Sequence, residues 1–246
     1  MTKFLIDADI VAFKAATSVE RPIDWGDGMW TLHAYEHEGI EYINQYLHRV
    51  VDKLGDGEFN MFLTDPDNWR KDILPSYKSN RKSTRKPLLL KALRQYMLDE
   101  MAAIMVPTME ADDLLGITST NEKNCIIVSE DKDLATIPGK LFNPAKDEAV
   151  RHITEFEADY FHMIQTLTGD AVDGYTGLPT CGPKTAEKIL EGCKTPMEMW
   201  AAVVHAYEKK GLSEFVATIQ ARVARICRKD NFDFNTGKVI LWTPPT

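Results

Sequence analysis

Residues 125–133 read CIIVSEDKD: four apolar residues in a row, then Ser129, Glu130, Asp131, Lys132 and Asp133. A short unbroken apolar run bounded by polar residues is the pattern of a strand buried on both faces, as in a parallel sheet. The same shape recurs along the chain. Phe4-Leu5-Ile6 ends in Asp7, and Phe59 to Leu63 leads through Thr64 to Asp65. Ala102 to Val106 is followed by Glu110, Asp112 and Asp113, which open the helix-like ADDLLGITST. Between these runs lie helical patterns such as 40–54, with Ile40, Ile43, Tyr46, Leu47, Val50, Val51 and Leu54 on one side. Strands alternating with helices predict an α/β fold, a mostly parallel sheet flanked by helices.

Strands in such a sheet present their carboxyl ends along one edge, where ligands bind in the crevice. A carboxylate after a single strand is commonplace and is often just a helix N-cap. Four at one edge repel one another, and each has its pKa raised unless a cation compensates. An all-oxygen set suits a hard divalent ion, Mg²⁺ or Mn²⁺. Asp170 and Asp173 of GDAVD, three residues apart, are close together on a helical turn or a tight loop and extend the set. The candidate metal ligands are therefore Asp7, Asp65, Glu110, Asp112, Asp113, Asp131, Asp133, Asp170 and Asp173. Two ions roughly 3.5–4 Å apart could activate water and stabilise the leaving oxygen of a phosphodiester.

The bulk numbers agree with a soluble globular chain: 246 residues, 44% hydrophobic and 27% charged. MTKFLIDADIVAF is not a signal peptide, since two aspartates interrupt its apolar run. No membrane span is expected either, so the expected location is the cytoplasm, bacterial or phage-infected. Cys125, Cys181, Cys193 and Cys227 have no C-x-x-C spacing, which argues against zinc or a disulfide framework. A net charge of −8 argues against nucleic acid, but charge is not evenly spread. Between Arg70 and Arg94 stand nine Lys or Arg, including Lys78, Arg81, Arg85 and Lys86, against one acid, Asp72.

Residues 169–190, GDAVDGYTGLPTCGPKTAEKIL, superficially offer a P-loop, with Gly177 and Gly182 correctly spaced. Pro183 removes an N–H from that cradle, and the preceding segment is helical rather than a strand. The stretch reads as helix, Gly-rich turn, helix.

In order and spacing these motifs resemble the 5′-nucleases of flap endonuclease and phage 5′–3′ exonuclease type, related to the 5′-nuclease domain of DNA polymerase I. The resemblance runs from LIDAD to PKTAEKIL: Asp7, Asp65, Glu110-Ala-Asp112-Asp113, SEDKD, then GDAVD. It implies a PIN-like core over 1–155, with a basic arch-like segment at about 66–100. A helix-hairpin-helix subdomain with C-terminal helices over 156–246 follows. It implies that Asp7, Asp65, Glu110, Asp112 and Asp113 hold the metal nearer the scissile phosphate, and that the later aspartates form a second metal region. Asp9 does not match and reads as a helix N-terminal acid. Lys78 and Arg81 of TyrLysSerAsnArg are implied as phosphate clamps, as expected of cations facing developing phosphoryl charge. Tyr77 either stacks on a base or packs, and Arg85 and Lys86 extend the basic contact.

The resemblance further implies that the Gly-rich turn grips duplex phosphate, with Gly177, Gly182, Lys184, Thr185 and Lys188 as the DNA-binding set and a potassium ion in the hairpin. Two departures stand out: Asp173-Gly174-Tyr175-Thr176-Gly177 replaces the usual Asp-Asn-Ile/Leu-Pro-Gly, and Thr180 stands where relatives often carry glycine. Residues 18–38, with Trp25 and Trp30, match nothing in the pattern and read as a loop or hairpin insertion. On the helical pattern 213–229, Arg222, Arg225, Arg228 and Lys229 are DNA contacts or a solvated face.

The expected activity is divalent-metal-dependent hydrolysis of DNA at or near 5′ ends or flaps, extending to the RNA of RNA–DNA hybrids, with no membrane or protein partner. Two alternatives stay open: a PIN-like endoribonuclease, and a non-catalytic structure-specific DNA-binding protein.

Overall fold

The computed structural model describes residues 1–80 and 85–245. In chain order the first half consists of β1 (Thr2–Asp7), α1 (Ala8–Ser18), β2 (Arg21–Asp24), β3 (Trp30–His33), α2 (Glu36–Leu54), β4 (Gly57–Phe62), α3 (Arg70–Ile73), α4 (Leu90–Glu100) and α5 (Ala111–Asn121). There follow β5 (Cys125–Val128), β6 (Gly139–Phe142), β7 (Arg151–Ile153), α6 (Glu155–Thr168), α7 (Pro183–Ile189), α8 (Pro196–Glu208), α9 (Glu214–Ala224), β8 (Phe232–Asp233) and β9 (Lys238–Val239).

The central sheet is ordered β4-β1-β5-β6-β7. All its pairings are parallel except that of β7 with β6. Because side chains alternate across a strand, Phe4 and Ile6 point to one face and Leu5 to the other. The first face packs on α1, α2 and α4 through Val11, Ile43, Val50, Leu93 and Met97. The second packs on α5 through Leu115 and Ile117, and on Ile226 and Cys227 from the distant carboxyl end. Each fully buried Ile, Leu or Phe contributes about 1.5–3 kcal/mol through removal from water. Close approach is built in where α5 meets the returning chain: a Cβ on Gly116 would lie 2.2 Å from the Cys227 carbonyl.

Helices α6, α7, α8 and α9 enclose their own core of Leu167, Ala186, Met199, Val203, Tyr207 and Ala217. Just beyond α9, Ile226 and Cys227 join the core over 1–155, while Trp242 packs back on the helical group. No helix among the described residues is long and apolar enough to cross a membrane.

Two expectations are corrected. Residues 102–106 are not a strand: Ile104 makes one isolated parallel bridge to Phe62. The run is cut short by Ala102 at φ 51° and Thr108 at φ 64°, left-handed conformations on either side of it. The basic segment is not arch-like over all of 66–100. α4 buries Leu93 and Met97 in the main core, and Arg70 and Tyr77 are also buried. Near the carboxyl end the two-residue β9 pairs with β8. Residues 21–33 form the antiparallel hairpin β2–β3, with Trp25 and Trp30 exposed near its turn.

Candidate active site

The parallel register brings the ends of β1 and β5 side by side, with Ile6 opposite Val128. Asp7 therefore sits at the sheet edge, where it also caps α1: its Oδ1 accepts from the Ile10 amide at 3.2 Å. Its Oδ2 accepts from the Ser129 hydroxyl at 2.8 Å, and that hydroxyl accepts in turn from the Asp131 amide at 3.0 Å. Ser129 thus ties the first acid to the SEDKD loop. Burial pushes the Asp7 carboxyl up to about 6, against the hydrogen bonds from Ser129 and Ile10 and with the Asp131 charge adding to the rise.

Glu110 precedes α5 and is also buried. Its Oε2 accepts from Arg70 Nη1 and from the Tyr77 hydroxyl, both at 2.9 Å, and its Oε1 meets the Lys78 ammonium. Burial alone would raise the Glu110 carboxyl; Arg70 and Lys78 outweigh it and hold the group below its ordinary value. Asp112, two residues further on, has no hydrogen bond or ion pair among the described residues. Burial, then the charges of Asp7, Asp131 and Glu110, hold its carboxyl well above the usual carboxylate range.

The second set gathers around the loop after α6. Asp131 Oδ1 caps the 3-10 turn Lys132–Thr136 by accepting from the Asp133 amide at 2.8 Å. Burial and the charge of Asp131, followed by those of Asp170 and Asp173, push the Asp133 carboxyl up to about 6 despite Lys132. Asp170 Oδ1 turns the loop, accepting from the Val172 and Asp173 amides at 2.7 and 3.2 Å. Asp173 Oδ2 accepts from the Tyr77 hydroxyl at 3.1 Å and lies 3.5 Å from Lys78 Nζ. Seven of the nine candidate acids are therefore drawn into two overlapping groups, with Asp131 common to both.

Two candidates stand apart. Asp113 is fully buried, and both its oxygens are engaged: Oδ1 by Arg70 Nη2 at 2.8 Å and the Cys227 amide at 3.0 Å, Oδ2 by Arg70 Nη1 at 2.7 Å and Trp69 Nε1 at 3.0 Å. That is a structural position, joining α3, α5 and the returning carboxyl segment. Asp65 Oδ1 accepts from the Asp67 and Thr108 amides at 3.0 and 3.1 Å, which braces its own loop. Asp9 lies in the first turn of α1, where it accepts from the Thr64 amide at 2.8 Å and pairs with Arg94.

Among the described residues no three carboxylate, imidazole or thiolate side chains converge on one point. Among the described residues, Lys78 joins Arg70 as a cation among these acids, its ammonium bridging Glu110 and Asp173. The donor set nonetheless fits a hard divalent ion. It is all oxygen, Asp112 has no ion pair among the described residues, and Asp133 Oδ1 is buried without a hydrogen-bond partner there.

Tyr77 is 3% exposed with its hydroxyl shared between Glu110 and Asp173, so it packs and cannot stack on a base. Lys78 takes φ 53°, and its amide donates to the Asp173 carbonyl at 2.7 Å, latching the foot of the basic segment to the GDAVD loop. Arg81 lies outside the described residues. Arg85 is a fork on Glu20, with Nη1 and Nη2 at 2.9 and 2.7 Å, while Lys86 is exposed.

In the turn before α7, Gly177 is buried, and its amide donates to Gln220 Oε1 at 2.8 Å. A Cβ there would lie 2.3 Å from the Gly169 amide nitrogen, so Gly177 serves backbone packing rather than phosphate. Gly182, Lys184 and Thr185 are exposed at the start of α7, and Lys188 is exposed in its last turn. Thr180 takes φ 63°, a conformation that favours glycine.

Three participants escaped the sequence reading. Arg70 looked like one more member of the basic island; its position, eight residues before Lys78, carries no mark of burial. Ser129 was passed over as the start of SEDKD. Lys210, whose Nζ reaches Thr180 Oγ1 at 3.1 Å, joins the hairpin from the end of α8, a neighbour that only tertiary packing supplies.

Residues 2–161 match the family model described as 5′-3′ exonuclease, N-terminal resolvase-like domain. An exodeoxyribonuclease of Enterobacteria phage T3 is 28% identical, covering 98% of this chain and 92% of that protein. An exonuclease of Escherichia phage T7 is also 28% identical, over 98% of this chain and 93% of its own. The flap endonuclease Xni of Shewanella oneidensis is 26% identical over 61% of this chain and 64% of its length. In fold the chain is similar to the bacteriophage T5 flap endonuclease in a pseudo-enzyme–product complex with DNA and metal ions. The TM-score is 0.65 at 14% identity, over 91% of this chain and 89% of that one.

Proposed function

The chain belongs to the 5′-3′ exonuclease family and is a 5′–3′ nuclease, and from that membership we propose that it hydrolyses phosphodiesters at or near DNA 5′ ends with two divalent ions, Mg²⁺ or Mn²⁺, held by its sheet-edge carboxylates. Asp112 is the observation that carries this reading: a half-buried acid crowded by Asp7, Asp131 and Glu110, with no hydrogen bond or ion pair of its own among the described residues. Asp7, Glu110, Asp112 and Asp131 would hold one ion, and Asp131, Asp133, Asp170 and Asp173 the other. When bound, such ions supply Lewis-acid activation of water and charge stabilisation at the leaving oxygen.

The chain's own residues do the rest. Ser129 fixes the rotamer of Asp7, and Arg70 holds Glu110 ionised and in place. Lys78 is proposed to clamp the scissile phosphate; its ammonium faces Glu110 and Asp173, the carboxylates that would hold the ions. Arg81 is assigned the same clamp from its place in the motif. Exposed Gly182, Lys184, Thr185 and Lys188, with Lys210 beside them, are proposed to hold duplex phosphate without reading bases. A potassium ion in that turn is part of the proposal. So are the two-part organisation, cleavage of RNA in hybrid duplexes, and action in a bacterial or phage-infected cytoplasm.

The test is a 5′-labelled branched DNA with a single-stranded 5′ flap, in Mg²⁺, Mn²⁺ or EDTA. Cleavage is expected only with metal; a flap-length product marks endonuclease action and very short products mark exonuclease action. Asp112→Asn should abolish cleavage, and Lys78→Ala should slow it by about 10²–10³. Undiminished cutting by both variants would defeat the assignment. Binding without cutting in every metal would defeat the two-ion mechanism. An all-RNA strand in the same duplex, and potassium against tetramethylammonium, test the two extensions.

A further inference from the structure

A second site lies away from the acids, between α6, the start of α8 and the segment that follows α9. It is a cavity of about 170 Å³ lined by Asp159, Met163, Arg225, Arg228 and Trp242 among others. For comparison, a cavity of about 150 Å³ admits a benzene ring.

Its chemistry is unbalanced. Arg225 is only 8% exposed, and among the described residues Nε is the one of its side-chain nitrogens that makes a hydrogen bond within 3.5 Å, to Asn231 Oδ1 at 3.1 Å. Its Nη1 is 3.7 Å from Asp159 Oδ1, beyond hydrogen-bond range. Arg228 presents Nη2 to that same oxygen at 2.8 Å and to the Thr136 carbonyl at 2.8 Å, while its Nε is buried without a partner. Two guanidinium groups therefore share one carboxylate. Burial and the neighbouring Arg228 lower the Arg225 pKa to about 10, which still leaves it charged at neutral pH. His162 adds no charge, because burial and Arg225 hold it neutral. Among the described residues the net result is one positive charge in excess, with N–H donors left over, at a walled space. An isolated buried charge of this kind is costly unless an anion joins it.

We propose that this cavity is an anion site for a phosphate group, bound by Arg225 and Arg228 and independent of the carboxylate centre. The guanidinium fork matches phosphate oxygens in pairs. The opposite wall is apolar: Trp242 stacks edge-on against both His162 and Trp200 and closes the space, so a phosphate carrying a ring fits as well as a free one. The shared chemistry is the phosphate; its source is inorganic phosphate or a nucleoside monophosphate.

The test is isothermal titration of the full chain in EDTA with inorganic phosphate and with thymidine monophosphate, thymidine serving as the control. One-to-one binding of the phosphates, but not of thymidine, is expected. Arg228→Gln should weaken it about ten- to a hundredfold, the value of a charge-assisted hydrogen bond. Asp159→Asn removes the competing carboxylate and should tighten it, a gain that a folding defect cannot imitate. Lys78→Ala should leave it unchanged. If thymidine monophosphate binds more tightly and Trp242→Ala removes the margin, the occupant is a nucleotide; equal binding identifies free phosphate. No binding of either phosphate at millimolar concentration overturns the proposal. So does binding that Arg228→Gln and Asp159→Asn leave untouched, or binding that Lys78→Ala abolishes.

Discussion

Asp133 carries a pH signature that can be read without DNA. Its carboxyl is raised from the ordinary value near 3.8 to about 6. Between those limits the folded protein keeps a proton that the unfolded chain has released, so stability falls as pH rises through the window and the loss is constant above it. In EDTA, Asp133→Asn should therefore be more stable than the parent. The difference should grow from pH 4 to pH 6 and stay flat above, at about 1–2 kcal/mol after discounting for partial exposure; thermal unfolding across pH checks it. Arg70 works the other way. It is 2% exposed and neutralises both Asp113 and Glu110. Arg70→Met leaves those acids buried and unpaired and should cost about 3–5 kcal/mol in urea unfolding. These two residues also mark how far the site was legible. The acids could be found because each follows an apolar run, a pattern local in sequence. The division of labour among them could not. Asp112 and Asp113 are adjacent letters about 100° apart around one helix, and which of them meets a guanidinium depends on Arg70 arriving from α3, far upstream in the chain.

At the scale of elements, the turn between α6 and α7 depends on two glycines facing each other. Gly169 at φ 65° and Gly177 at φ 61° leave no room for a Cβ on either, each contact falling near 2.3 Å from backbone. Gly177→Ala should lower stability by about 2 kcal/mol or more, since left-handed strain adds to the collision; the melting temperature reads it directly. Gly182, with nothing within 4 Å of its Cβ position, should accept alanine with little loss of stability. The strands β1, β4 and β5 and the helices α2, α6 and α8 were legible because each has an unbroken apolar run or an apolar face. The run 102–106 has the same composition and yet makes one bridge. Nothing local in the letters reveals that Ala102 and Thr108 take left-handed φ. The basic segment misled for a different reason: Leu93 and Met97 belong to the core, and their lysine and arginine neighbours drew attention away from them.

Across the whole molecule the net charge of −8 opposes a polyanion, so binding must rest on local cations. With Ca²⁺ replacing Mg²⁺ to hold substrate uncut, affinity for duplex DNA should fall steeply with salt. Lys184→Ala with Lys188→Ala should reduce the log–log slope by about 2, close to one for each phosphate that is no longer neutralised. Equal slopes would remove α7 from the interface. The sheet order has a consequence for biosynthesis. β1 is made first yet occupies an interior position, with Lys3 beside Glu58 on one side and Cys125 on the other. A nascent chain that has emerged only as far as α4 can pair β1 with β4 alone, leaving an apolar strand edge open to other chains. Such distant parallel pairing is slow to form. Synthesis that pauses before Cys125 should therefore be the step at which this protein is most exposed to aggregation and most in need of a chaperone.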